Sequence, residues 1–269
     1  MPQGICKLCL NTADLQWSHY LPKALYRLHR PDGENPYYSS SQLIIQDQKQ
    51  IADYLLCSVC EQRFSELGET HVLKLVHRNH EGFKLFDFIR GNPFGRWSEG
   101  DYTVYRADNL GLDTEPLAYF ALSIIWRGTH TWKTFNGCAT GALNLQHHEE
   151  SIRQYLHGDA PFPKDVVVKV SVALDEESHH TLKYPFWNED QTDAVAFTFI
   201  TRGLWFDVVI ASPLPDYVYD NCCFSSRQKL IFVGDFNKYI TWQVQSDQQT
   251  AKLPKKLQAR RIAKLDRTP

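Results

Sequence analysis

Four cysteines in two C-x-x-C pairs, Cys6/Cys9 and Cys57/Cys60, carry the most definite chemistry in this chain. Two residues between thiolates let both sulfurs face one tetrahedral ion at about 2.3 Å. Two such knuckles separated by a long insert predict a single four-cysteine structural zinc site. One pair alone would read equally well as a redox motif; a second pair argues against that. The other three of the seven cysteines, Cys138, Cys222 and Cys223, read as core or surface thiols. Between the knuckles stands His19, in the run Ser18-His19-Tyr20-Leu21-Pro22-Lys23, and directly after the second knuckle comes Glu61. An imidazole titrates near working pH and suits a general base. Carboxylate oxygen suits a hard ion such as Mg²⁺. Glu66, Glu69 and His71 follow Glu61 on the same expected helix. On a 3.6-residue period Glu61 and Glu69 are a little over two turns apart and only loosely co-facial.

These pieces stand in a recognisable order. C-x-x-C, about ten residues, then polar-His-x-aliphatic-Pro-basic, then C-x-x-C opening a helix resembles the zinc-ribbon type of HNH endonuclease, a ββα-metal fold. The segments are Ser18–Lys23 and Leu56-Cys57-Ser58-Val59-Cys60-Glu61. The resemblance covers roughly residues 4–78. It implies a structural zinc, His19 as the base acting on water, and a second divalent ion, commonly Mg²⁺, at the scissile phosphate. It also implies a nucleic-acid substrate, DNA before RNA, and a role in restriction or phage defence. The chain departs from the pattern at Ser18, where the family usually has Asp, Glu or His, and at Glu61, where His or Asn is frequent. Glu61 is the candidate ligand on that account, although a carboxylate in a first helical turn is also favoured by the helix dipole.

Basic residues near the motif are candidate nucleic-acid contacts. Lys23 and Arg27 lie in an aromatic-interleaved basic run with His29 and Arg30. Arg63 could clamp a phosphate through its planar fork, or form a solvent salt bridge. Two adjacent-histidine clusters, His147-His148 with Glu149-Glu150 and His179-His180 with Glu176-Glu177, look like metal sites on paper. Neighbouring side chains diverge on helix and strand alike, which argues against both. Trp126-Arg127 reads as a buried polar anchor.

The elements that must position these groups fall into two halves. Residues 1–90 form the expected zinc-ribbon unit, with a polar loop at 30–50 holding one strand at 42–46 and a helix after the second knuckle, interrupted at Gly68. GNPFGRWSEGD at 91–101 marks a loop and the expected domain boundary. Residues 100–251 read as a second domain of unknown role. Pro116–Trp132 is a strongly apolar helix, and Leu145–His157 a more polar one stopped by Gly158. Strands follow at 166–174, 194–201 and 204–211, the last two joined by Arg202-Gly203, and at 229–234 and 238–245, joined by 235–237. Helices followed by hairpin-linked strands predict an α+β fold with an antiparallel sheet.

The 269 residues are 43% hydrophobic and 22% charged, ordinary globular usage that argues against wholesale disorder. A net charge of −2 excludes a global basic field. The charge is uneven, however. Residues 252–269 carry +6, leaving −8 on the rest, so the tail is a candidate phosphate contact as well as a solvated appendage. No 18-residue apolar run and no signal-like start are present, so no membrane partner and a cytoplasmic location are expected. Nothing in the sequence specifies an oligomeric state. Three readings stand side by side: an HNH-like nuclease, a non-catalytic zinc-ribbon module binding nucleic acid or protein, and a C-terminal enzyme braced by the zinc unit.

Overall fold

The computed structural model describes residues 1–28, 37–39, 44–46, 50–79, 82–83, 85, 89, 96–99, 102–132, 143–173, 178, 181–188, 194–214, 216–220, 222–224 and 229–236. In chain order the elements open with β1 (Gln3–Ile5), β2 (Thr12–His19), α1 (Lys23–Leu28), β3 (Tyr37–Ser39), β4 (Ile44–Gln46) and β5 (Ala52–Cys57). One long helix follows: α2 (Ser58–Phe64), a π segment (Ser65–Glu69) and α3 (Thr70–Val76). Next come β6 (Arg78–Asn79), β7 (Gly82–Phe83), β8 (Arg96–Glu99), β9 (Tyr102–Arg106), α4 (Ala107–Leu110), α5 (Glu115–Arg127) and α6 (Glu149–His157). The chain then forms β10 (Val166–Ala173), β11 (Leu182–Asn188), β12 (Val195–Thr201), β13 (Leu204–Ile210), α7 (Asp216–Asp220) and β14 (Leu230–Gly234). The class is α+β. No helix among the described residues is long and apolar enough to cross a membrane.

Among the described residues, nine strands form one sheet in the order β4-β3-β11-β12-β13-β10-β14-β9-β8. It is mostly antiparallel, with parallel pairings at β10/β14 and β11/β3. The β12–β13 hairpin closes on Arg202-Gly203, both with positive φ (50° and 80°), as a tight two-residue turn needs. Strand β10 (VVVKVSVA) is buried along nearly its whole length, as expected of a central strand covered on both faces.

Helix α5 is the middle layer. Every residue from Leu117 to Arg127 is buried, so it is apolar on all sides but for Ser123 and Arg127. One side meets the sheet, where Phe120 packs on Phe199 and Phe206, themselves stacked at 4.7 Å. The other side meets the long helix of the cysteine-bearing unit. There Gly68 lets the backbones touch: a Cβ at this position would stand 3.0 Å from Phe120 N and Cα. Gly68 is thus a point of close approach within a continuous helix, not an interruption.

Three further expectations change. Arg96–Glu99 is a strand paired with β9, so the Gly/Pro/Asn-rich run at 91–101 is not all loop. The polar insert at 30–50 contributes two strands, β3 and β4, to the edge of the large sheet, rather than one. The helix starting near Pro116 ends at Arg127, and Trp132 lies beyond it, stacked on Tyr20. A single hydrophobic cluster holds Cys6, Leu56 and Phe64 together with Leu117, Phe199 and Ile231. Residues 238–245 and the basic tail at 252–269 lie outside the described residues.

Candidate functional site

The four predicted cysteines come together. Their sulfurs lie within 4.8 Å of one another, and Cys9 and Cys57 Sγ are 3.9 Å apart. A tetrahedral site with ligands at about 2.3 Å has sulfur–sulfur edges of about 3.8 Å, so the cluster fits one Zn²⁺. The first pair sits in the β1–β2 turn, closed by Leu10 N–H to Cys6 O and Cys6 N–H to Asn11 O, both 2.9 Å. The second sits where β5 runs into α2: Cys57 ends the strand and Cys60 lies in the first helical turn. The Cys57 N–H donates to Cys6 Sγ at 3.3 Å. Hydrogen bonds into the Cys6 sulfur, foremost from the Cys60 thiol, hold Cys6 well below the ordinary thiol range and push Cys60 up. A thiolate sharing its neighbours' protons is chemistry that a metal ion can replace.

A second cluster lies beside the cysteines, in a cleft of about 350 Å³ lined by His19, Pro22, Lys23, Glu61, Gln62, Ser65, Glu69 and Arg127. His19 ends β2, paired with Ala52 of β5. Side chains alternate along a strand, so Ser18 points inward while His19 faces the cleft. Ser18 has its own task. A bulge between Leu15 and Trp17 breaks the β2–β5 ladder, and Ser18 Oγ accepts the Leu56 N–H at 3.2 Å. The position before the histidine therefore supports the sheet and offers nothing to an ion.

The π segment explains how two glutamates eight residues apart share the cleft. Two α-helical turns take about 7.2 residues, so an unbroken α-helix would rotate Glu69 roughly 80° past Glu61. A wider π turn absorbs the extra residue and brings Glu69 back above Glu61. Periodicity alone leaves the pair loosely co-facial; the π turn aligns them.

The electrostatics are asymmetric. Burial, helped by the Lys23 ammonium, pushes the His19 imidazole below its ordinary value, so it is neutral at pH 7. Glu61 Oε1 is buried and has no hydrogen-bond partner among the described residues. Glu69 Oε1 receives Arg127 Nη2 at 2.7 Å, and Arg127 is itself only 1% exposed. A neutral imidazole, two carboxylates and two cations in one concavity can hold a hard divalent cation and an oxyanion side by side.

The remaining candidates fall elsewhere. Arg27 is exposed in the last turn of α1 and does not line the cleft. Arg63 donates Nε–H to Leu156 O at 2.8 Å and packs against Gly158, so it braces the end of α6 and does not line the cleft. His147 and His148 do not diverge: a 3₁₀ turn brings their rings to 3.9 Å. They belong to no cluster of three metal-ligating groups among the described residues. The 176–180 cluster lies outside the described residues. Arg127 is the cleft residue that sequence reasoning missed. No local spacing links it to His19, since it arrives from α5 by long-range packing. Compared with protein-family models, with curated proteins and with solved structures, the chain matches none.

Proposed function

We propose that this chain is a metal-dependent endonuclease of the HNH-like, ββα-metal type, hydrolysing nucleic-acid phosphodiester bonds, DNA before RNA. One observation carries the reading. His19 and Glu61, contributed by the two cysteine-anchored segments, line one cleft with Glu69, and Glu61 presents a buried oxygen without a partner among the described residues. An unpartnered buried carboxylate oxygen is costly unless a cation completes it. A divalent ion held by Glu61 and Glu69 would supply charge neutralisation at the scissile phosphate and the leaving oxygen. His19, neutral at pH 7, takes the proton from the attacking water. Lys23, exposed at the first turn of α1, meets the substrate backbone. The cysteine cluster is structural and fixes the strand end that carries His19.

The test is cleavage of supercoiled plasmid and of single-stranded DNA and RNA with Mg²⁺, Mn²⁺ or Ni²⁺. His19→Ala removes cleavage with zinc content and fold intact, a loss of about 10²–10⁴-fold for a general base. Glu61→Gln mimics it, with partial recovery at high Mg²⁺ by mass action. Cleavage undiminished in His19→Ala places the chemistry elsewhere.

A second reading is a non-catalytic zinc-ribbon module. The inward Ser18 favours it, because the cleft then holds two carboxylates and one of them is engaged by Arg127. Nucleic-acid binding without cleavage under every ion tried selects that reading.

A further inference from the structure

We propose that Arg127 is the oxyanion-binding residue of the cleft, so that the second half of the chain supplies the group that holds a substrate phosphate. The identity of that anion as a phosphodiester rests on the nuclease reading; the binding of a phosphate group as such does not.

A guanidinium carries five N–H donors in a fixed fork. Buried at 1% exposure, Arg127 meets two acceptors among the described residues: Glu69 Oε1 at 2.7 Å and Tyr20 O at a long 3.4 Å. Its Nε is buried and has no acceptor among those residues. The fork is held rather than floppy, since Cζ sits 4.7 Å from the centre of the Phe64 ring. A rigid, desolvated guanidinium with unmet donors at a cleft wall is incomplete. Tetrahedral oxyanions offer several acceptors in the bidentate geometry that a guanidinium matches. The surroundings favour an anion there as well. Lys23 lines the same cleft, and a cation shared by Glu61 and Glu69 would draw Glu69 charge away from Arg127. Glu69 thereby stands between two partners: with the ion absent it competes with phosphate for Arg127, and with the ion present it yields the guanidinium to phosphate.

The probe is inorganic phosphate, titrated calorimetrically into the zinc-loaded full chain against chloride of matched ionic strength. Wild type binds it saturably. Arg127→Lys keeps the charge but loses the fork, and binding weakens about ten- to a hundredfold. Lys23→Ala, at an exposed position, weakens it about threefold. Glu69→Gln removes the competing carboxylate and tightens binding, a gain that a purely bracing Arg127 would not give. No saturable phosphate binding by wild type, undiminished binding by Arg127→Lys, or weaker binding by Glu69→Gln overturns the assignment. Phosphate binding without any cleavage removes the nuclease reading and leaves Arg127 in place. Cleavage by Arg127→Lys at wild-type KM does the reverse.

Discussion

Replacing Gly68 by alanine tests how tightly the cysteine-bearing unit and the central helix are fitted. The new methyl would stand 3.0 Å from Phe120 N and Cα and 3.1 Å from its Cβ. Carbon contacts settle near 3.5–4.0 Å, so the helices must part by about 0.5 Å. Phe120 cannot yield cheaply, because its ring is locked against Phe199 and Phe206. Overpacking costs about 1–3 kcal/mol; with Phe120 locked the upper part of that range, about 2–3, applies, and alanine's better helix propensity returns about 1, leaving a net loss of about 1–2 kcal/mol. For a chain of this size that is a drop in Tm of roughly 2–8 °C. Parting the helices also stretches the Glu69–Arg127 bridge, since these residues belong to the two elements being separated. Urea unfolding and calorimetry of zinc-loaded protein measure the first effect, and phosphate titration the second. Gly111→Ala is the control. It sits at φ +63° with open space around its Cβ, so it loses about 1 kcal/mol to the left-handed backbone and leaves phosphate binding unchanged. A Gly68→Ala protein as stable as wild type, or more so, refutes the close-approach argument.

Other outcomes follow from the same geometry. Elemental analysis should find one zinc per chain, and Cys57→Ser should lose both the metal and the fold around it, since structural zinc supplies on the order of 10 kcal/mol in small modules. His130 is pushed down to about 4 by burial, and its Nε2 has no partner among the described residues. Its folded value lies below the unfolded 6.5, so its contribution to stability is complete above pH 6.5 and is lost as pH falls toward 4. The ceiling is about 3 kcal/mol, and a His130→Leu protein should show a flatter pH–stability curve across that window. Truncation at Lys252 should lower the salt dependence of DNA binding by about 0.9 in log–log slope for each phosphate that the tail no longer neutralises. An unchanged slope would leave the tail a solvated appendage.

What was legible in the sequence is what depends on short spacing. Two thiolates three positions apart can share an ion wherever the chain goes, so the gathering of Cys6, Cys9, Cys57 and Cys60 could be expected from their letters. The same holds for the Arg202-Gly203 turn and for Gly158, which ends α6 at φ +94°. Less visible was anything set by packing between distant segments. Ser18 looks like a missing ligand until the bulge beside it leaves the Leu56 N–H in need of an acceptor. Arg127 looks like an anchor in an apolar helix until that helix is laid across the π segment. Arg96–Glu99 carries turn-rich neighbours and becomes a strand because β9 offers it an edge. The alignment of Glu61 with Glu69 needs a π turn that no 3.6-residue template contains.

The shared core has a consequence for modularity. Arg153 of α6 donates to the Leu8 carbonyl inside the first knuckle, Arg202 donates to Leu28 O at 2.7 Å, and the Tyr26 and Tyr184 hydroxyls meet at 2.7 Å. Each bond joins the first 90 residues to the rest, beneath a continuous apolar cluster. The cysteine-bearing unit is therefore not a cassette that could be cut out and grafted onto another scaffold. Excised, it would bare Phe64, fully buried here against Tyr119 and Trp126, and leave Glu69 without its guanidinium. A host protein would have to bring its own version of α5, with an arginine at the matching turn.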